Sequence, residues 1–276
     1  MIRLVGAALR AVLVALLVVT PALLLPGPTL DSGHVLALVA LVAGLLTFAE
    51  YYTDYPSLLE FRDAPPFNRL RFGCLFAALL VTTTISHGLT EPTLVTRALT
   101  SLGAVIGGAL DFPFSPVRLL LIGLAGEASP EVQRAVLAAA GLSMLAVLVT
   151  LGTFLLAVRL GNWPLRSGAF NVWVNMPLFD PTAGGDVLQR LRRDARMQLA
   201  LGFLVPFLVP ALAKLGADFI GPMRMTDPLS LIWMTSIWAF LPTSMIMRAV
   251  ALHRVADLVE EKRRRAHARA HGLQPV

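Results

Sequence analysis

Apolar residues in this chain fall into long blocks separated by short, charge-dense segments. A helix rises 1.5 Å per residue and needs about 20 residues to cross roughly 30 Å of hydrocarbon. Six stretches meet or approach that length: 4–26, 35–55, 70–88, 130–159, 199–215 and 229–252. Pro56 should stop the second, since it lacks a donor and clashes with the preceding turn. Ser129 followed by Pro130 has the form of a capped helix start, and Pro92 suits the first turn of another helix. The pattern predicts an all-α, polytopic integral membrane helical bundle: one transmembrane domain over 1–252 and a basic tail over 253–276.

Residues 91–127 break the pattern. "EPTLVTRALTSLGAVIGGALD" is long enough to cross, but after "FPFSP" the apolar "VRLLLIGLAG" is only half a span. This segment forms either a re-entrant hairpin turning at Asp111–Pro116 or two further short spans. Irregular backbone at that depth has to be covered by protein, because lipid offers it no hydrogen bonds. Within it, Gly103 and Gly107 form a GxxxG pair that permits close helix contact, either inside the bundle or along a dimer seam. "FLVPFLVP" places Pro206 and Pro210 one turn apart and should kink or unwind that span.

Arginine sets the orientation. The tail "HRVADLVEEKRRRAHARAH", the segment "RLRRDAR" and residues 56–71 are rich in it, and basic segments are held back from translocation. Both termini are therefore expected in the cytoplasm. Arg3 and Arg10 precede the first apolar block as in a signal peptide, yet "TPALLLPGP" offers no A-x-A cleavage site, so a retained helix is expected. The abundance of Ala, Leu, Val, Arg and Gly suggests a GC-rich bacterial genome, hence a bacterial inner membrane.

Composition agrees with the pattern. Of 276 residues, 56% are hydrophobic and 14% charged, with a mean hydropathy of +0.72, whereas a soluble domain carries about 25% charged residues. A net charge of +6 and a pI near 10.4 admit nucleic acid as a partner. The basic residues flank apolar blocks, however, and the tail has no aromatics among its charges, so topology explains them better. Cys74 is the only cysteine, which excludes an intrachain disulfide and a cysteine-based metal cluster. The five histidines are scattered. HExxH, GxSxG, paired prenyltransferase aspartates and a histidine box are all absent, so no cofactor is expected and a non-catalytic role is favoured over an enzymatic one.

Candidate chemistry gathers in two polar segments. In "EYYTDYPSLLEFRDAPPFNRLRF", Glu50 and Asp54 lie four residues apart on one predicted helix face. They could hold a proton or cation, or they could be interfacial carboxylates paired with Arg62, Arg69, Arg192 or Arg193. Asp63, Asn68 and Arg69 belong to "DAPPFNRLR", whose adjacent prolines make either a docking epitope or a stiff connector. Residues 161–198 form a cytoplasmic interfacial segment, with Trp163 and Trp173 as expected membrane anchors. There "DPTAGGDVLQRLRRDARMQ", with Asp180 at the turn, predicts a short helix capped by Asp186. Arg192 and Arg193 would face headgroups, and Leu188, Leu191 and Ala195 lipid or protein. Asp111 is the candidate polar group of the broken segment.

The expected function is a non-catalytic scaffold or accessory subunit that presents a cytoplasmic face to a membrane-protein complex, with the bilayer and a homo-oligomer as further partners. The alternatives are a small transporter or channel built on 91–127 and the Pro206/Pro210 kink, and a lipid-modifying enzyme using Glu50 or Asp54.

Overall fold

The computed structural model describes residues 1–25, 30–125, 128–165, 170–180, 182, 184–220 and 228–270, and their regular structure is entirely helical. The helices are α1 (Ile2–Leu24), α2 (Leu30–Tyr52), α3 (Phe67–His87), α4 (Leu94–Leu110), α5 (Pro116–Ala125), α6 (Pro130–Leu160), α7 (Val172–Asn175), α8 (Val187–Ile220) and α9 (Pro228–Ala270). Six of them, α1, α2, α3, α6, α8 and α9, are long and apolar enough to cross a membrane.

The bundle is built around α3, α6 and α9, each of which touches the other two. The α1–α2 hairpin leans on α3, α4 lies along α6, and α8 runs along α9 with α5 against it. The outer faces of α1 and α2 stay uncovered: Val5, Leu9, Val12, Val35, Leu38 and Leu45 are each more than half exposed. That is costly in water and ordinary in lipid, where the bilayer covers such a face.

Local chemistry explains the helix ends. Ser129 accepts from the Val132 N–H at 3.4 Å, with Pro130 in the first turn. At α4 the cap is Thr93 rather than the region of Pro92: Thr93 and Thr96 bond each other's backbone N–H groups reciprocally. Helix α2 ends at Tyr52, three residues before the expected stop, so Asp54 lies past the helix and no longer shares a face with Glu50.

The two prolines expected to kink or unwind one span do not unwind it. Helix α8 runs unbroken through Pro206 and Pro210 and absorbs the short helix expected after Asp186. Pro210 has no N–H for the carbonyl one turn back, and Trp238 of α9 supplies it, donating Nε1–H to the Pro206 oxygen at 2.9 Å. The GxxxG pair packs inside the bundle. A Cβ on Gly103 would lie 2.4 Å from the Ala138 oxygen and one on Gly107 2.3 Å from the Leu137 oxygen, both on α6. Only glycine allows α4 and α6 to approach so closely.

Candidate functional site

At the end of the bundle where α2 stops and α3 begins, three segments remote in sequence form one cap. Residues 53–66 enter it first, held by Asn175 of the four-residue α7. The Asn175 carbonyl accepts from Phe61 N–H at 2.6 Å, and its Oδ1 accepts from Asp63 N–H at 3.0 Å. Trp163 joins the same unit by donating Nε1–H to the Ala64 oxygen at 3.0 Å, and its own carbonyl accepts from Arg254 of α9 at 3.2 Å. Beneath these bonds lies an aromatic core. Phe61 and Phe67 sit 4.7 Å apart between centroids, and Phe154 and Trp163 5.1 Å. Phe61 and Asn162 take positive φ of 53° and 50°, conformations that the surrounding bonds must hold in place.

Trp163 is 2% exposed, so it is a core residue and not the expected membrane anchor; its indole N–H has a protein acceptor and needs no interface water. Trp173 does stand on the surface, at 56% exposure.

The carboxylates of the first polar segment find partners the spacing did not suggest. Glu50 folds back over the loop and accepts the N–H groups of Ser57, Leu58 and Leu59 at 2.9–3.2 Å, with the Ser57 hydroxyl at 2.5 Å. Asp54 pairs with Arg3 of α1 at 2.5 Å, and that hydrogen bond holds its carboxyl below the usual aspartate range. Neither carboxylate pairs with Arg62, Arg69, Arg192 or Arg193, the expected partners. Arg62 instead serves the backbone: it donates to the carbonyls of Glu50, Thr53 and Asp54 at 2.7–3.1 Å and lies 3.3 Å from Asp63. It thus neutralises the open carbonyls and negative dipole end of α2. Asn68 donates to the Glu60 carbonyl at 2.8 Å, starting α3. Arg69 is exposed and, among the described residues, has no hydrogen bond or ion pair.

The strongest charge cluster of the cap went unnoticed in the sequence. Glu60 is 6% exposed and receives Nε and Nη2 of Arg248 at 2.5 and 2.8 Å. Arg71 lies nearby over the rings of Phe67 and Phe240, at 5.5 and 5.8 Å. The missed signal was Arg248 itself: a guanidinium within the last apolar block needs a carboxylate at its own level.

The second polar segment joins the tail. Asp186 accepts from Leu188 N–H at 3.2 Å, as a cap should, and pairs with Arg263 at 2.7 Å. The Arg263 hydrogen bond keeps its carboxyl below the ordinary range. Arg192 reaches Glu260 at 2.5 Å, Arg193 lies 3.7 Å from Asp194, and Asp180 turns on Thr182 N–H at 2.8 Å. Leu191 and Ala195 are buried, which settles their face towards protein. Asp111 is remote from all of these; it pairs with Arg118 at 2.7 Å across the α4–α5 turn.

Among the described residues no group of three His, Cys, Asp or Glu side chains could hold a metal ion. No family model, curated protein or solved structure matches the chain.

Proposed function

We propose that this chain is a non-catalytic, polytopic protein of the bacterial inner membrane, with both termini in the cytoplasm. Its role is that of a scaffold or accessory subunit, and the cap is the face it offers to a partner membrane complex or to a second copy. The observation that carries this proposal is the joining of three remote segments into one bonded unit: Asn175 holds Asp63, Trp163 holds Ala64 and accepts from Arg254, and Asp186 pairs with Arg263. Glu50, Asp54, Glu60, Asp63 and Asp186 are each engaged in structural contacts, which argues against their use in acid–base chemistry. Tyr55, Leu58, Trp173 and Leu178 stand on its segments at 56–72% exposure, the kind of apolar side chains a docking face uses.

The arginine excess on the cap supports the orientation, against Arg97, Arg134 and Lys214 towards the other end among the described residues. The length of α5 supports a re-entrant hairpin: its 10 residues rise about 15 Å, half the hydrocarbon thickness. The Asp111–Arg118 pair then staples the turn.

Photo-crosslinkers placed at Leu58 and Leu178 in native membranes test the docking face. Discrete products are expected from both sites and none from Leu89 at the opposite end. Absence of any product from the cap positions would remove the scaffold role. A transport role is the second reading, favoured by the one observation that Asp111 and Arg118 place charge between short helices of an apolar bundle. Labelling of a cysteine at position 111 from the aqueous phase would support it.

A further inference from the structure

The bundle carries an open groove of about 500 Å³ between α1, α2 and α3, with Phe240 of α9 at its floor. Its lining has two unlike ends. Leu13, Leu17 and Phe240 make the long part apolar, while Arg10, Arg69 and Arg71 gather where the cap begins. The carboxylates of the adjoining segment are all engaged elsewhere. Glu50 is held by backbone N–H groups, Asp54 by Arg3, Glu60 by Arg248, and Asp63 by Arg62. Arg10 donates to the Gly6 carbonyl at 2.7 Å and meets Tyr51 through a side-chain hydrogen bond, with the ring at 4.6 Å, and so has neutral partners. Arg71 has the Asn68 amide oxygen at 3.4 Å, and its buried Nε has no hydrogen-bond acceptor. Among the described residues Arg69 has neither hydrogen bond nor ion pair. Three guanidinium groups thus line one end of an apolar trough; among the described residues none has an ion pair of its own, and Glu60, whose charge acts on Arg71, is already held by Arg248.

We propose that this groove is a binding site for an anionic phospholipid, its phosphate among Arg10, Arg69 and Arg71 and one acyl chain along Leu13, Leu17 and Phe240. Guanidinium forks match phosphate oxygens in geometry as well as charge. The position suits a lipid, because the trough is open between spans and its cationic end lies level with the loop before α3. A soluble phosphate would fill only one end and leave the apolar trough without a ligand. The site is independent of what docks on the cap.

Native mass spectrometry of the full chain in detergent tests the site, with phosphatidylglycerol and phosphatidylcholine of identical chains added in competition. Phosphatidylglycerol should be retained about tenfold more tightly, the difference expected for one charged contact. Arg69→Gln and Arg10→Gln should each abolish most of that preference; Arg69 is exposed and unpartnered, so its replacement leaves the fold intact. Leu13→Trp, which fills the trough from a partly exposed position, should lower retention of both lipids. Equal retention of the two lipids, or a preference unchanged in both arginine variants, would overturn the proposal. Displacement of the lipid by millimolar glycerol phosphate would also overturn it, by showing that the arginines bind a soluble phosphate without need of the chain.

Discussion

Glu60 and Arg248, 188 positions apart, form a two-pronged ion pair that ties the loop before α3 to the last helix. Burying a carboxylate and a guanidinium together gains little over an apolar pair, but removing one partner strands the other. Arg71, also part-buried, sharpens this, because Glu60 is the carboxylate it shares with Arg248. Glu60→Gln should therefore destabilise the fold by about 3–5 kcal/mol. Cys74, 2% exposed and the only cysteine, gives the readout: its labelling by a thiol reagent reports opening of the bundle under denaturant. The double variant Glu60→Gln with Arg248→Gln should lose less than the sum of the two single ones. Additive losses would show that the pair is not the source of the effect.

The contact between α4 and α6 makes a sharp contrast between neighbouring glycines. A Cβ at position 107 meets the Leu137 oxygen at 2.3 Å, whereas one at 108 meets nothing within 4 Å. Gly107→Ala should cost about 1–3 kcal/mol by forcing the two helices apart. Gly108→Ala should be neutral or gain up to about 1 kcal/mol from helix propensity. Thermal unfolding in detergent checks both. Were the glycines a dimer seam instead, Gly107→Ala would weaken self-association and leave the unfolding of the protomer unchanged.

Asn175 carries the seam between the first polar loop and the middle insert. Its side chain accepts from Asp63 N–H, and its amide donates back to the Asn171 carbonyl at 3.0 Å. Asn175→Ala leaves the Asp63 N–H without its acceptor, at about 1–3 kcal/mol. Hydrogen exchange should accelerate at residues 61–64 and stay unchanged in α4 and α5, far from the cap. Uniform acceleration would mean that the cap does not unfold as a local unit.

How far the chain disclosed this arrangement depended on the range of the interaction. Spans follow from local hydropathy, and each expected crossing coincides with a long helix. The caps at Ser129 and Asp186 were legible for the same reason, since donor and acceptor are within three residues. Partners of buried charge were not. Nothing local connects Asp54 to Arg3 or Glu60 to Arg248, and the nearer arginines were the natural guess. Trp163 misled because an aromatic beside a basic segment suits either an interface or a core, and only the distant Ala64 carbonyl decides between them. That the helix stays wound through Pro206 and Pro210 was not legible either, because the donor to the freed Pro206 carbonyl, Trp238, lies on α9.

The tail of α9 is fastened to the start of α8 by Asp186–Arg263, with Arg192–Glu260 one turn away. The Asp186 carboxyl is held below its ordinary value by the hydrogen bond from Arg263. A group whose folded pKa is depressed stabilises the fold above its unfolded pKa, and loses that contribution as pH falls through the folded one. An ordinary aspartate titrates near pH 3.9, so the fastening should hold from neutral pH down to about pH 4 and loosen only below it. Spin labels at positions 189 and 266, both on the exposed margin of the two helices, report the distance. It should stay constant between pH 7 and pH 5 and broaden below pH 4. Asp186→Asn should broaden it already at pH 7, and added salt should do the same in part, because both partners of the pair are open to solvent. A distance that changed between pH 7 and pH 5 would point instead to a group with a raised pKa, and Asp186 would not be the residue that holds the tail.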